Sequence, residues 1–226
     1  MRTKIFCDSA DYKTINRLNK NKIVSGFTTN PSLMRNAGAK SYKLYSQKIL
    51  KICSKKPISL EVFADDKHNM LKQAYKINNW GKNIFVKIPV VNSKGRFMGD
   101  VVKELNSKGI KLNITAVYTF NQVKKIFRIL NSKSNSIISI FAGRMADQGT
   151  DPIPIFKKSI KLCKKNKKIK ILWASTREAY NYIQAKQLNC DIITMPPKII
   201  QKIKNFKSNP RKLTIDTVKG FLTDSK

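Results

Sequence analysis

Acidic residues are scarce in this chain of 226 residues: 13 Asp and Glu stand against 46 Lys and Arg, a formal charge of +33. There is one histidine, His68, and the four cysteines, Cys7, Cys53, Cys163 and Cys190, lie far apart with no CxxC pair. A zinc site needs clustered Cys and His, and a disulfide framework needs paired thiols at close spacings. Neither is expected, and reduced thiols in a cytosol fit better. No pair of His or carboxylates offers a metal site, so Mg or Zn chemistry is disfavoured. No run approaches the roughly 20 apolar residues of a membrane span. The opening MRTKIFCDSADYK lacks a signal peptide's apolar core, so a cytoplasmic protein without a membrane partner is expected. A dinucleotide turn GxGxxG is also missing, which disfavours a doubly wound open sheet.

Arginine is short as well. Of the 46 basic residues 38 are Lys and 8 are Arg, and Lys is accompanied by abundant Ile and Asn, as an AT-rich coding bias would produce. Base-reading proteins lean on the bidentate fork of Arg. The lysines spread along the whole chain, densest in KKNKKIK at 164–170, and aromatic residues do not interleave with them as stacking platforms would require. A solvated basic surface is therefore preferred over specific nucleic-acid binding, which stays a remote alternative.

What is present is a rhythm. With 41% hydrophobic residues the chain can bury a sizeable core. Short apolar, β-branched runs recur at 3–8, 22–27, 58–64, 84–90, 111–117, 136–142, 170–175 and 191–196, each near-continuously apolar as strands buried on both faces should be. Between them lie helical spacings. Tyr42, Tyr45, Ile49, Ile52 and Cys53 share one face of 41–54, and Phe120, Val123, Phe127 and Leu130 one face of 119–132. Asp66 before 67–79, Asp151-Pro152 before 153–166 and Thr176 before 177–188 read as helix starts. Eight βα units without a linker predict an α/β protein, one (β/α)8 TIM barrel spanning 1–226. The barrel proper covers about 3–206, and an additional C-terminal helix covers about 210–224. That last helix carries an apolar face of Leu213, Val218, Phe221 and Leu222 that needs a partner, either its own barrel or another subunit.

In such a barrel the chemistry sits where strands end. Those positions hold Asp8, Thr28, Asn30, Glu61, Lys87, Asn113, Thr115, Ser139, Arg144, Ser175 and Arg177. Asp8 and Glu61 are flanked by apolar residues although acids are rare. Lys87 sits inside the run NIFVKIPVV, where desolvation favours the neutral amine that can attack a carbonyl. A Schiff-base lysine and a lysine that snorkels out or pairs with a buried acid are both open readings of that position. Arg144, Ser175 and Arg177 follow the late strands, where this architecture usually binds phosphate.

GFTTNPSLM (26–34), SLEVFA (59–64), FVKIPV (85–90), KLNITAVYTFNQ (111–122), SIFAGRMADQG (139–149) and ILWASTREA (171–179) resemble, in order and spacing, the transaldolase family. The resemblance is to its small branch, which also holds the fructose-6-phosphate aldolases, and it runs from about residue 3 to 222. It implies a cofactor-free class I mechanism acting on sugar phosphates, as in the pentose phosphate pathway. Lys87 would form the Schiff base and Asp8 would be its acid–base partner. Glu61 and Thr115 would act through a water. Asn30 and Asn113 would hold the dihydroxyacetone fragment, with Thr28 and Ser139 nearby, and Arg144, Ser175 and Arg177 would clamp phosphate. The branch pairs Glu with Phe in transaldolases and Gln with Tyr in aldolases, so Glu61 and Phe141 imply dihydroxyacetone transfer, with an aldolase releasing free dihydroxyacetone as the alternative. The same resemblance implies a homo-oligomer, a pentamer or decamer. Ile140 stands where Pro is usual, and Trp173 where a small residue is common. Trp173 is expected either to narrow the pocket, even to the point of lost turnover, or to fill the barrel.

Overall fold

The computed structural model describes residues 3–203, 206 and 209–225; the ends of the expected span 1–226 lie outside the described residues. Eight parallel strands close a barrel in chain order: β1 (Lys4–Asp8), β2 (Val24–Thr28), β3 (Ile58–Glu61), β4 (Ile84–Pro89), β5 (Leu112–Val117), β6 (Ser136–Phe141), β7 (Ile169–Ala174) and β8 (Ile192–Met195). Each strand pairs with the next, and β8 returns to β1 with Lys4 beside Ile192 and Cys7 beside Met195. This is the (β/α)8 TIM barrel that the alternation of apolar runs predicts.

The helices form the outer layer: α1 (Tyr12–Asn19), α2 (Pro31–Asn36), α3 (Tyr42–Ile52), α4 (Lys67–Asn78), α5 (Gly99–Ser107), α6 (Phe120–Ile129), α7 (Ala142–Ala146), α8 (Ile153–Cys163), α9 (Tyr180–Gln187), α10 (Pro197–Ile203) and α11 (Pro210–Asp224). Their starts follow local chemistry. Asp66 accepts the Asn69 N–H at 3.0 Å to cap α4, and Thr119 and Gln122 form a reciprocal capping box on α6. Two expectations shift. The third strand stops at Glu61, not 64, because the N–H groups of Phe63 and Ala64 both donate to Gln73 Oε1 and turn the chain towards α4. The helix expected from 177 begins at Tyr180. Thr176 does not cap it: its hydroxyl donates to the Thr194 carbonyl at 2.6 Å, and the Asn181 side chain accepts from Arg177 N–H instead.

Strand side chains alternate between two environments. One set faces the helices and forms the large core, including Ile88, Ile114, Ile138, Ile140, Ile171 and Trp173. The other set faces the barrel axis. Its lower part is apolar, with Phe6, Phe85, Ile137, Leu172 and Ile192 in one small cluster. Gly26 makes room for it, since a Cβ there would stand 2.6 Å from the Phe6 ring. Trp173 belongs to the outer set, 1% exposed and stacked on Phe156 of α8 at 4.5 Å between centroids. It therefore neither narrows the pocket nor fills the barrel, and the geometric ground for suspecting it of blocking turnover disappears.

No helix among the described residues is long and apolar enough to cross a membrane. All four cysteines are free and buried, and burial pushes their thiols up, Cys53 to about 11 and Cys7, Cys163 and Cys190 to about 12. Such thiols are poor nucleophiles. The last helix, α11, buries none of its residues against the described part of the barrel.

Candidate active site

Above the apolar floor the axis turns polar. Strand register sets the arrangement: Asp8 pairs with Thr28, Glu61 with Lys87, and Lys87 with Asn113. A cavity of about 210 Å³ opens at the C-terminal ends of the strands. Asp8, Thr28, Asn30, Lys87, Thr115, Ser139, Phe141, Arg144, Ser175 and Arg177 line it, ten of the twelve residues expected there.

Lys87 is the one buried lysine among the described residues, 7% exposed. Its Nζ donates to the Thr29 carbonyl at 3.0 Å and lies 3.1 Å from Glu61 Oε2. Lys87 is thus paired with a partly buried acid, and it faces the cavity. Asp8 accepts from the Thr28 hydroxyl at 2.7 Å, and Thr28 meets Thr194 at 2.5 Å. Because Thr28 spends its only proton on Asp8, Thr194 must donate to Thr28, and the row of hydroxyls is oriented towards the carboxylate. Burial pushes the Asp8 carboxyl above its ordinary range, against the opposing pull of the Lys87 charge and the Thr28 hydrogen bond.

Glu61 and Asn113 stand slightly apart from the cavity wall. Glu61 reaches the site through Lys87. Asn113 lies fully buried, its amide donating to Ser59 Oγ at 2.9 Å and accepting from Ser139 Oγ at 2.7 Å. Both sides of that amide are engaged, so Asn113 supports Ser139 rather than facing the cavity. Asn30 has a double position, since its Oδ1 caps α2 by accepting the Leu33 N–H at 2.9 Å while the residue lines the pocket. The Thr115 hydroxyl is buried and has no hydrogen-bond partner among the described residues, which leaves it available to a ligand. The neighbouring Ala116 has φ of 58°, where the β5–β6 register shifts. Such strain clusters at functional sites.

The opposite rim is cationic. Arg144 lies over the Phe141 ring at 5.8 Å, and Phe141 also meets Tyr118 at 5.7 Å. Arg177 donates from Nε to both oxygens of Asp147 at 3.0 Å, and this holds the Asp147 carboxyl below its usual range. Ser175 adopts φ of 63°, and its carbonyl would lie 1.7 Å from a Cβ on Gly143, so α7 and the end of β7 touch backbone to backbone. Reading strand ends alone passes over Thr194 and the walls Leu172 and Ala174. Thr194 was within reach of sequence reasoning as the polar residue in the run IITM; Leu172 and Ala174 carry no chemical signal.

Barrel and cavity define a class: a (β/α)8 protein with a buried lysine, two carboxylates and an arginine-lined rim at the strands' C-terminal ends. The chain belongs to the transaldolase/fructose-6-phosphate aldolase family, whose profile matches residues 5–225. A protein of Dehalococcoides mccartyi named probable transaldolase is 29% identical over 225 residues, 99% of this chain and 98% of its own. A probable transaldolase of Nitrosopumilus maritimus is 33% identical over 204 residues, covering 88% of this chain and 86% of its own. A probable transaldolase of Methanococcus maripaludis is 30% identical over 225 residues, 98% of this chain and 96% of its own.

Proposed function

We propose that the protein is a transaldolase acting through a Schiff base on Lys87. It would move a dihydroxyacetone unit from sedoheptulose 7-phosphate to glyceraldehyde 3-phosphate, giving erythrose 4-phosphate and fructose 6-phosphate. The observation that carries the reading is the placement of Lys87: buried, facing the cavity, 3.1 Å from Glu61 and close enough to Asp8 for their charges to interact.

The proposed sequence uses the groups in place. The ammonium of Lys87 passes a proton to a base, for which Glu61 is the nearest carboxylate, and the free amine attacks the keto carbon. The carbinolamine loses water to give the imine, with Glu61 and the Thr115 hydroxyl handling that water. Asp8 takes the proton from the C4 hydroxyl as the C3–C4 bond breaks. The electrons of that bond move into the protonated imine, which becomes an enamine, and the aldose leaves. The enamine carbon then attacks the acceptor aldehyde, Asp8 returns its proton to the new hydroxyl, and water hydrolyses the imine. Ser139, Thr28 and Asn30 surround the three-carbon fragment, with Asn113 fixing Ser139. Arg144, Arg177 and Ser175 face the phosphate end, where a doubly charged oxyanion can draw Arg177 away from Asp147. No metal or redox cofactor enters this scheme, because the iminium nitrogen is itself the electron sink.

Glu61 and Phe141 favour transfer over release: a phenyl ring beside the enamine cannot orient a water to protonate it. The finding that decides between the two is free dihydroxyacetone formed from fructose 6-phosphate with no acceptor aldose, which an aldolase produces and a transaldolase does not. Borohydride treatment with fructose 6-phosphate is expected to add mass to the Lys87 peptide; an unmodified peptide rules the mechanism out. The exposed face of α11, with Leu213 55%, Phe221 67% and Leu222 61% exposed, supports assembly into a homo-oligomer.

A further inference from the structure

At the top of β3 the ladder with β2 ends one rung early. The two strands are joined by Phe27 N–H to the Pro57 carbonyl at 2.8 Å and by Thr29 N–H to the Ser59 carbonyl at 3.2 Å. Parallel pairing advances two residues per rung on each strand, so the next rung would bring Glu61 N–H to the Thr29 carbonyl. That bond is not made. Glu61 N–H donates instead to the phenol oxygen of Tyr42 at 2.9 Å, and the Thr29 carbonyl accepts from Lys87 Nζ at 3.0 Å. Tyr42 is the first residue of α3, and its ring is held edge-on by Phe63 at 4.3 Å and tilted against Trp80 at 6.0 Å.

We propose that Tyr42 is a positioning residue for Lys87: its hydroxyl takes the Glu61 amide out of the ladder, leaving the Thr29 carbonyl to hold the lysine. One hydroxyl thereby sets two of the lysine's partners. It releases the carbonyl 3.0 Å from Nζ, and it pins the backbone of the residue whose carboxylate lies 3.1 Å from the same atom. Without the phenol, the Glu61 amide is a buried donor in need of an acceptor, and the facing Thr29 carbonyl is the nearest that the ladder offers. Closing that rung draws the end of β3 towards β2 and carries the Glu61 carboxylate with it. Tyr42 touches neither cavity nor substrate; it acts through Glu61 and Thr29.

The inference rests on Lys87 being the imine-forming amine, and the test separates the two. The full-length chain is trapped with fructose 6-phosphate and borohydride, and the rate of mass gain on Lys87 is followed against sugar concentration. Tyr42→Phe is expected to slow saturated trapping at least tenfold, with the half-saturating sugar concentration within about twofold of wild type and an unchanged melting temperature. A displacement of about 1 Å at a reacting group can cost on the order of a hundredfold. Saturated trapping within twofold of wild type overturns the inference alone. Wild-type chain that is not trapped overturns both it and the reading beneath it. Phe63→Ala removes ring packing but keeps the phenol, and a loss as large as that of Tyr42→Phe assigns the effect to packing and overturns the proposal. Should Tyr42→Phe not fold, Tyr42→His, which can accept from the same amide, is compared with Tyr42→Leu. Trapping at least tenfold faster in the histidine variant supports the role, and equal rates overturn it.

Discussion

At the scale of single residues, Asp8 couples stability to chemistry. Burial pushes its carboxyl up, so the folded chain holds that proton more tightly than the unfolded chain. The protonated form therefore favours folding; that advantage is full below the unfolded value of about 4 and is lost as pH rises through the folded-state value. Asp8→Asn abolishes the charge at every pH. Its melting temperature is expected to exceed wild type at pH 7 and to approach wild type near pH 4, while turnover falls on the order of a hundredfold or more. Calorimetry at the two pH values checks this, and a gain independent of pH would tell against a raised Asp8. Residues such as Asp8, Glu61 and Lys87 were legible in the sequence because charge inside an apolar run is costly and so informative. Tyr42 was not, since an aromatic residue on a helix's apolar face reads as packing, and its hydroxyl reaches a strand end only through tertiary structure. The same limit hid the direction of Trp173, which the strand's alternation with Leu172 and Ala174 settles once those two are known to face inward.

At the scale of elements, the barrel was readable because eight apolar runs each close a βα unit. The short α2 and α7 were not, since α2 opens just past the end of β2 and α7 directly at the end of β6, each with too few residues for a period to emerge. Yet α7 sets the cationic rim. Its Gly143 lies against the Ser175 carbonyl, so Gly143→Ala must push α7 away from the end of β7. Overpacking of this kind costs about 1–3 kcal/mol, or on the order of 2–12 °C in melting temperature for a domain of this size. Because Arg144 sits in α7 and Arg177 just beyond Ser175, the variant is expected to raise KM for a phosphorylated sugar several-fold. KM for the same sugar without phosphate should change little. Steady-state kinetics on the two sugars checks this, and equal effects on both would detach α7 from phosphate.

At the scale of the whole molecule, the charge of +33 resolves, among the described residues, into a background of mostly exposed lysines around one buried one. A positive surface of this size raises the local concentration of anions, which on the proposed function include the sugar phosphates, and the effect fades with salt. The length and composition foretold a large apolar core but not where α11 would lie, because an amphipathic helix is equally content on its own barrel or on another. In the structure Leu213, Ile215, Val218, Phe221 and Leu222 all remain open to solvent. If the proposed homo-oligomer forms through this face, Phe221→Ser together with Leu222→Ser is expected to lower the mass found by sedimentation while the barrel keeps its circular dichroism; an unchanged mass tells against α11 as an assembly face.

Phe6, Ile137, Leu172 and Ile192, packed together beneath the polar residues, make the barrel a cup and not a pipe. Traffic therefore has a single door. On the proposed reaction the aldose cut from the donor must leave by the opening through which the acceptor arrives, and the two cannot pass each other in about 210 Å³. Turnover must alternate, one sugar out before the next comes in. An acceptor supplied in excess would stand in the doorway and slow the very reaction it feeds.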